Sequence, residues 1–168
     1  AGGEDLVFPH HENEIAQSEA ANEKPFARYW MHNAFLNINN HKMSKSLGNF
    51  FTVRDVSEKY DLQVLRFFML SAHYRSPLNF SEELMEAAGS GYERIVNGVS
   101  NLNYLLENTK SDKISKEEQA LLEEAKSYRV KFEQAMEDDF NTADALAAIF
   151  ELVKFANSHA DAEKSAPF

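Results

Sequence analysis

The chain has 168 residues, 43% of them hydrophobic and 26% charged, and a net charge of −10. That is a soluble globular composition, and no apolar run approaches the roughly 18 residues of a membrane span. Cysteine is absent, which excludes a disulfide framework, fits a cytosolic protein and leaves only His and carboxylate for any metal site.

The charge is uneven. Up to Arg75 there are nine acidic and eight basic residues; beyond it there are eighteen and nine. Phosphate chemistry is therefore expected in the near-neutral first part, and the acidic second part reads as solvated helix surface. The start, Ala1-Gly2-Gly3-Glu4-Asp5, has neither the basic nor the apolar region of a signal peptide. It also lacks an initiator Met, so residue 1 reads as a cut inside a longer protein.

Residues 9–21 are rich in helix formers, with Pro9 suited to a first turn and Ile15 as the main apolar anchor. Residues 29–38 are aromatic and branched and predict one strand or two short ones. Asn39-Asn40 signals a turn, and the polar run 41–49 with Gly48 predicts a loop. Thr52 and Asp55 stand at capping-box distance before a short helix. A helix over 62–73 carries Leu62, Leu65, Phe68 and Met69 at helical spacing. Residues 76–80 read as extended.

The remainder is helical. A long helix from Ser81 carries Ile95, Val99, Leu102 and Leu106, with a weak point at Gly89-Ser90-Gly91. Ser115 and Glu118 form a second capping box. The helix after it places Leu121, Ala125, Tyr128, Phe132 and Met136 on one face. Asn141 opens the last helix, with Leu146, Ile149, Phe150 and Val153 inward. Three such stripes predict an antiparallel bundle, with residues 161–168 frayed.

Two motifs carry chemistry. Lys42-Met43-Ser44-Lys45-Ser46, next to Gly48, alternates two lysines with two hydroxyls. Lysines neutralise polyphosphate, and hydroxyls and backbone N–H groups donate to it; the same composition also suits a solvated turn. In Phe8-Pro9-His10-His11-Glu12-Asn13-Glu14, His10 and Glu14 share a helix face, and His11 and Glu14 also stand close enough to converge. An imidazole and a carboxylate on one face are half of a tetrahedral zinc site. The same residues also suit a polar first turn whose carboxylates complement the helix dipole.

Lys42–Ser46 matches the KMSKS signature of class I aminoacyl-tRNA synthetases. With Pro9–Glu14, with the run from Arg66 to Ser81, and with Asp138-Asp139-Phe140-Asn141-Thr142-Ala143-Asp144, the sequence resembles the cysteinyl-tRNA synthetase family over nearly its whole length. The resemblance implies a mainly α fragment: residues 1–50 as the end of a Rossmann-type catalytic domain with one or two short strands, 51–80 as a stem-contact-like connection, and 81–168 as a DALR-type helical bundle. It implies that His10 and Glu14 are two of the four zinc ligands, that Zn²⁺ binds the substrate thiolate, and that Lys42, Met43, Ser44, Lys45 and Ser46 bind ATP, supplied with Mg²⁺. Lys42 and Lys45 then stabilise the departing pyrophosphate. Trp30 and His32 become candidates for the amino-acid pocket. The implied activity is cytoplasmic, ATP-dependent attachment of cysteine to tRNA(Cys), with no membrane partner.

The family's His-Ile-Gly-His-type signature is absent from this chain, as are the two cysteine ligands. Ala34 stands where Gly is usual, and His41 where an acidic residue is usual. The chain by itself is therefore expected to be inactive. Two other readings share its features: a ligase joining cysteine to an amino sugar through the same adenylate, and a non-catalytic helical module that binds RNA or protein. Three further residues have plain expectations. His73 meets a helix dipole, Arg75 makes a surface ion pair or meets RNA phosphate, and His159 is solvated.

Overall fold

A computed structural model describes residues 1–43, 51–109 and 111–168. They form two compact units, Ala1–Lys59 with Ala72–Glu82, and Tyr60–Ser71 with Glu83–Phe168. The architecture is mainly α with a few short strands, as expected.

In the first unit, strand β1 (Gly2–Gly3) pairs in parallel with β2 (His32–Asn33), placing Gly2 opposite His32. A wide helical turn over Val7–His11, with Phe8 extended inside it, leads into helix α1 (Glu12–Asn22). The aromatic run of the sequence resolves into two short strands, β2 and β3 (Leu36–Ile38). Asn39 and Asn40 both take positive φ, 48° and 65°. That is the conformation a two-residue hairpin turn requires, and asparagine tolerates it. The turn pairs β3 with β4 (His41–Lys42), Asn37 facing Lys42. The start of the expected loop is therefore strand: the two-residue turn matches strand twist, so pairing extends into the polar run. Strand β5 (Leu78–Phe80) lies parallel to β3 on its other side. Helix α2 (Val53–Ser57) starts in the expected capping box. The Thr52 backbone N–H donates to the Asp55 carboxylate at 2.6 Å and the Asp55 N–H to the Thr52 hydroxyl at 3.2 Å. The bond from the Thr52 backbone holds the Asp55 carboxyl below its usual range.

In the second unit, α3 (Leu62–Leu70) is capped by the Asp61 side chain. Phe68 is its buried residue, while Leu62 and Met69 are exposed. Phe67 packs against Tyr92 and edge-on to Phe150. Leu65 and Phe68 of the expected stripe thus face inward, while Phe67 is inward in place of Leu62 and Met69. Helix α4 (Glu82–Asn108) runs unbroken through Gly89 and Gly91. Gly98, also on α4, is buried where a Cβ would stand 2.8 Å from a Val153 methyl. A glycine there marks close helix approach, and its cost in helix propensity is offset by packing.

Helix α5 (Lys116–Glu137) begins in the second predicted capping box, and α6 (Thr142–His159) on the Asn141 side chain. Tyr128 meets Phe155 and Lys131 pairs with Glu151, so α5 and α6 are antiparallel. Gly91 and Gly98 meet Phe150 and Val153 in the same order, so α4 and α6 run in the same direction. Met85, Ala88, Ala145, Ala148, Val153 and Phe155 are the buried core. The expected α4 stripe faces the bundle but closes incompletely. Ile95, Val99 and Leu102 line an apolar cleft of about 290 Å³, and Val99, Leu102 and Leu106 stay partly exposed.

The carboxyl-terminal residues are tied down rather than frayed. The Thr109 hydroxyl donates to the Lys164 carbonyl, and the Ala166 N–H to that of Ser111. Buried Glu118 accepts from the Ser115 N–H at 2.7 Å, the Ser165 N–H at 2.8 Å and the Ser165 hydroxyl at 3.1 Å. No hydrophobic run announces this latch; it depends on a capping residue having oxygens to spare. The bonds from the Ser115 and Ser165 backbone N–H groups lower the Glu118 pKa from 4.5 to about 2, against the opposing effect of burial. A lowered folded-state pKa stabilises above the unfolded value, and that stability is lost as pH falls. Protection of the Ser165 amide from hydrogen exchange is therefore expected to decline between about pH 4.5 and pH 2. In Glu118→Ala it should be about tenfold lower at neutral pH. Equal protection in both proteins would contradict the latch.

Candidate functional site

The first unit holds the chemistry-bearing residues. Along the segment from His10 through α1, His11, Ile15 and Ser18 are partly buried, while His10, Glu12 and Glu14 are exposed. This is the 3.6-residue period at work: His11 and Ile15, four apart, share the inward face, and His10 and Glu14 share the outward one.

The inward histidine meets the two candidate pocket residues. The His11 Nδ1 and His32 Nε2 share a hydrogen bond at 2.8 Å, one donating and the other accepting. The His11 ring lies 5.0 Å from Trp30, tilted by 40°. Trp30 and His32 stack nearly parallel, 4° apart, with centroids 6.0 Å apart. Trp30 also touches Phe26. Trp30 and His32 are thus brought together, with His11 as the residue joining them. The sequence held a signal for this, since His11 stands one turn before Ile15, the single large apolar residue of α1.

His10 and Glu14 are not buried among these rings. They offer an imidazole nitrogen and a carboxylate oxygen, the donor types zinc takes. Among the described residues, no group of three or more His, Asp or Glu side chains is placed to hold a metal ion. By themselves the two side chains fall short of such a group.

The lysine motif follows the β3–β4 hairpin. Lys42 is the last residue of β4, and the Met43 N–H donates to the Leu36 carbonyl at 3.2 Å. Ser44, Lys45 and Ser46 lie outside the described residues, as does the Lys42 side chain.

Three other expectations have outcomes. His73 lies beyond α3 and accepts the Arg75 backbone N–H at 3.2 Å. Arg75 donates to the Tyr74 hydroxyl at 3.1 Å, with its guanidinium 5.3 Å from that ring's centroid. His159 is partly buried rather than solvated: its Nδ1 bonds the Phe155 carbonyl at 2.9 Å, and its ring lies on that of Phe155. A histidine one turn after an inward phenylalanine shares its face. No described helix is long and apolar enough to cross a membrane.

Residues 1–90 match the family model described as tRNA synthetases class I (C) catalytic domain, and residues 131–167 match the DALR domain. The chain is 64% identical over 165 residues to a cysteine–tRNA ligase of Lachnospira eligens, covering 98% of this chain and 35% of that protein. It is 55% identical over 168 residues to a cysteine–tRNA ligase of Clostridioides difficile, covering 100% of this chain and 36% of the other. The chain thus spans about a third of the length of these curated relatives. More than half of its residues match the catalytic-domain model, and DALR helices follow: the chain belongs to the class I (C) family of tRNA synthetases.

Proposed function

We propose that this chain is part of a cytoplasmic cysteine–tRNA ligase, which activates cysteine with ATP and Mg²⁺ and transfers it to tRNA(Cys). One observation carries the reading. The unit that turns His10 and Glu14 outward on one helix face also holds the hairpin ending at Lys42, where the lysine motif begins. Residues 1–50 serve as the end of the catalytic domain, 51–80 as the connection toward the acceptor stem, and 81–168 as the DALR-type bundle.

His10 and Glu14 supply two donors for zinc, and the full-length protein supplies the rest. When bound, zinc prefers a thiolate to a hydroxyl ligand and so separates cysteine from serine more sharply than pocket volume alone. Lys42 and Lys45, with Ser44, Ser46 and Met43, hold the ATP phosphates. The lysine charges stabilise the negative charge that builds on pyrophosphate as the cysteine carboxylate attacks the α-phosphorus. Trp30 and His32 wall the amino-acid pocket.

The full-length protein is tested by ATP–pyrophosphate exchange with cysteine, then by charging of tRNA(Cys). Exchange without charging, together with transfer to an amino sugar, would favour a cysteine–amino-sugar ligase; loss of both would leave an RNA- or protein-binding module. Residues 1–168 alone are expected to show no exchange above background and to retain no zinc after dialysis against a chelator, because two donors hold zinc weakly. Stoichiometric zinc after dialysis would contradict that expectation.

A further inference from the structure

We propose that His11 is a positioning residue whose bond to His32 sets the rotation of α1, and with it the direction in which His10 and Glu14 are presented. The proposal rests on the reading of those two residues as metal donors.

Helix α1 has little else to fix its rotation. Of its eleven residues, Glu12–Asn22, Ile15 is the one large apolar side chain, and none of the eleven is fully buried. Burial of one isoleucine is non-directional and does not by itself select one rotation. A rotation by one residue, about 100°, would turn the His10–Glu14 face away.

The His11 ring is constrained from three sides. In its plane, Nδ1 meets His32 at 2.8 Å. Trp30 lies 5.0 Å away and itself stacks with His32. Against the backbone of β1, a Cβ placed on Gly2 would come within 2.8 Å of the His11 Cε1, so the ring lies where only glycine leaves room. Gly2 and His32 are opposite each other in the parallel β1–β2 pair. The backbone that accommodates the ring and the side chain that bonds it are therefore fixed in register.

The ring anchors the residue next to His10 and four before Ile15. His11 touches no metal in this scheme; it acts through the helix. Outer partners that orient metal ligands typically change metal affinity ten- to a hundredfold when removed.

The test uses the full-length protein and zinc affinity measured by chelator competition. His11→Phe keeps a ring but loses the bond. His32→Phe removes the same bond from the other side. His11→Asn keeps a polar group at the place of Nδ1. Each phenylalanine variant is expected to weaken zinc binding about tenfold. The double variant should be no weaker than about either single one, since both remove one interaction. His11→Asn should recover most of the loss, and His10→Ala and Glu14→Ala should exceed it. Unfolding midpoints measured alongside show whether a variant has failed to fold; if His11→Phe has, the His32→Phe and His11→Asn pair decides. Wild-type affinity in both phenylalanine variants, with affinity lost in His10→Ala, would overturn the positioning role alone. Additive losses in the double variant would overturn it too. Unchanged affinity in His10→Ala and Glu14→Ala would remove the metal reading and this proposal together.

Discussion

Replacing Lys45 with Ala in the full-length protein is expected to lower cysteine-dependent ATP–pyrophosphate exchange about a hundredfold. Cysteine affinity should change little. A contact to the departing phosphates is made as charge develops in the transition state, so its loss appears in the rate constant. Lys45 lies three residues past β4, whose last residue is Lys42. The hairpin's β3 strand pairs on its other side with β5, so the position of Lys42 in the chain is fixed by two strand pairings. Single-turnover adenylate formation separates the rate from cysteine binding. An unchanged rate would remove Lys45 from the catalytic set.

The second large effect concerns stability. Met85 is fully buried, at 0% exposure, in the first turns of α4. Met85→Ala removes packed side-chain volume, for which the loss is about 2–5 kcal/mol. Met69 on α3 is 49% exposed and serves as the control; its replacement by Ala should cost less than about 1 kcal/mol. Urea unfolding reports both, with a shifted midpoint and an unchanged slope as the sign of a true stability change. Equal shifts in the two variants would contradict the placement of Met85 in the core.

Local chemistry made much of this fold legible. Both capping boxes, Thr52–Asp55 and Ser115–Glu118, stand where the sequence put them, because caps depend on neighbours a few residues apart. The same holds for Asn39-Asn40, whose positive φ values follow from the residue type. What escaped was tertiary. Gly98 is a helix breaker by propensity, and only the nearness of Val153 explains it. On α3, Leu65 and Phe68 turn inward as their spacing predicts, but the inward Phe67 is set by its contacts with Tyr92 and Phe150 on other helices. The latch onto Glu118 joins residues 47 apart, which no periodicity reveals. At the candidate site, Trp30 and His32 were recognised separately. Their link through His11 required knowing which side of α1 turns inward.

The β3–β4 hairpin also bears on which changes of length the chain can accept. Its turn has two residues, and its register sets Ile38 against His41 and Asn37 against Lys42. A strand alternates faces at every residue, so one inserted residue would invert everything that follows. Exchanging Asn39 or Asn40 for Gly or Asp keeps the geometry, since each of these tolerates a left-handed backbone. An insertion or deletion that shifted the pairing register would instead place different residues opposite Asn37 and Ile38. In this stretch the count of residues between Ile38 and Lys42 constrains the protein more tightly than their identity.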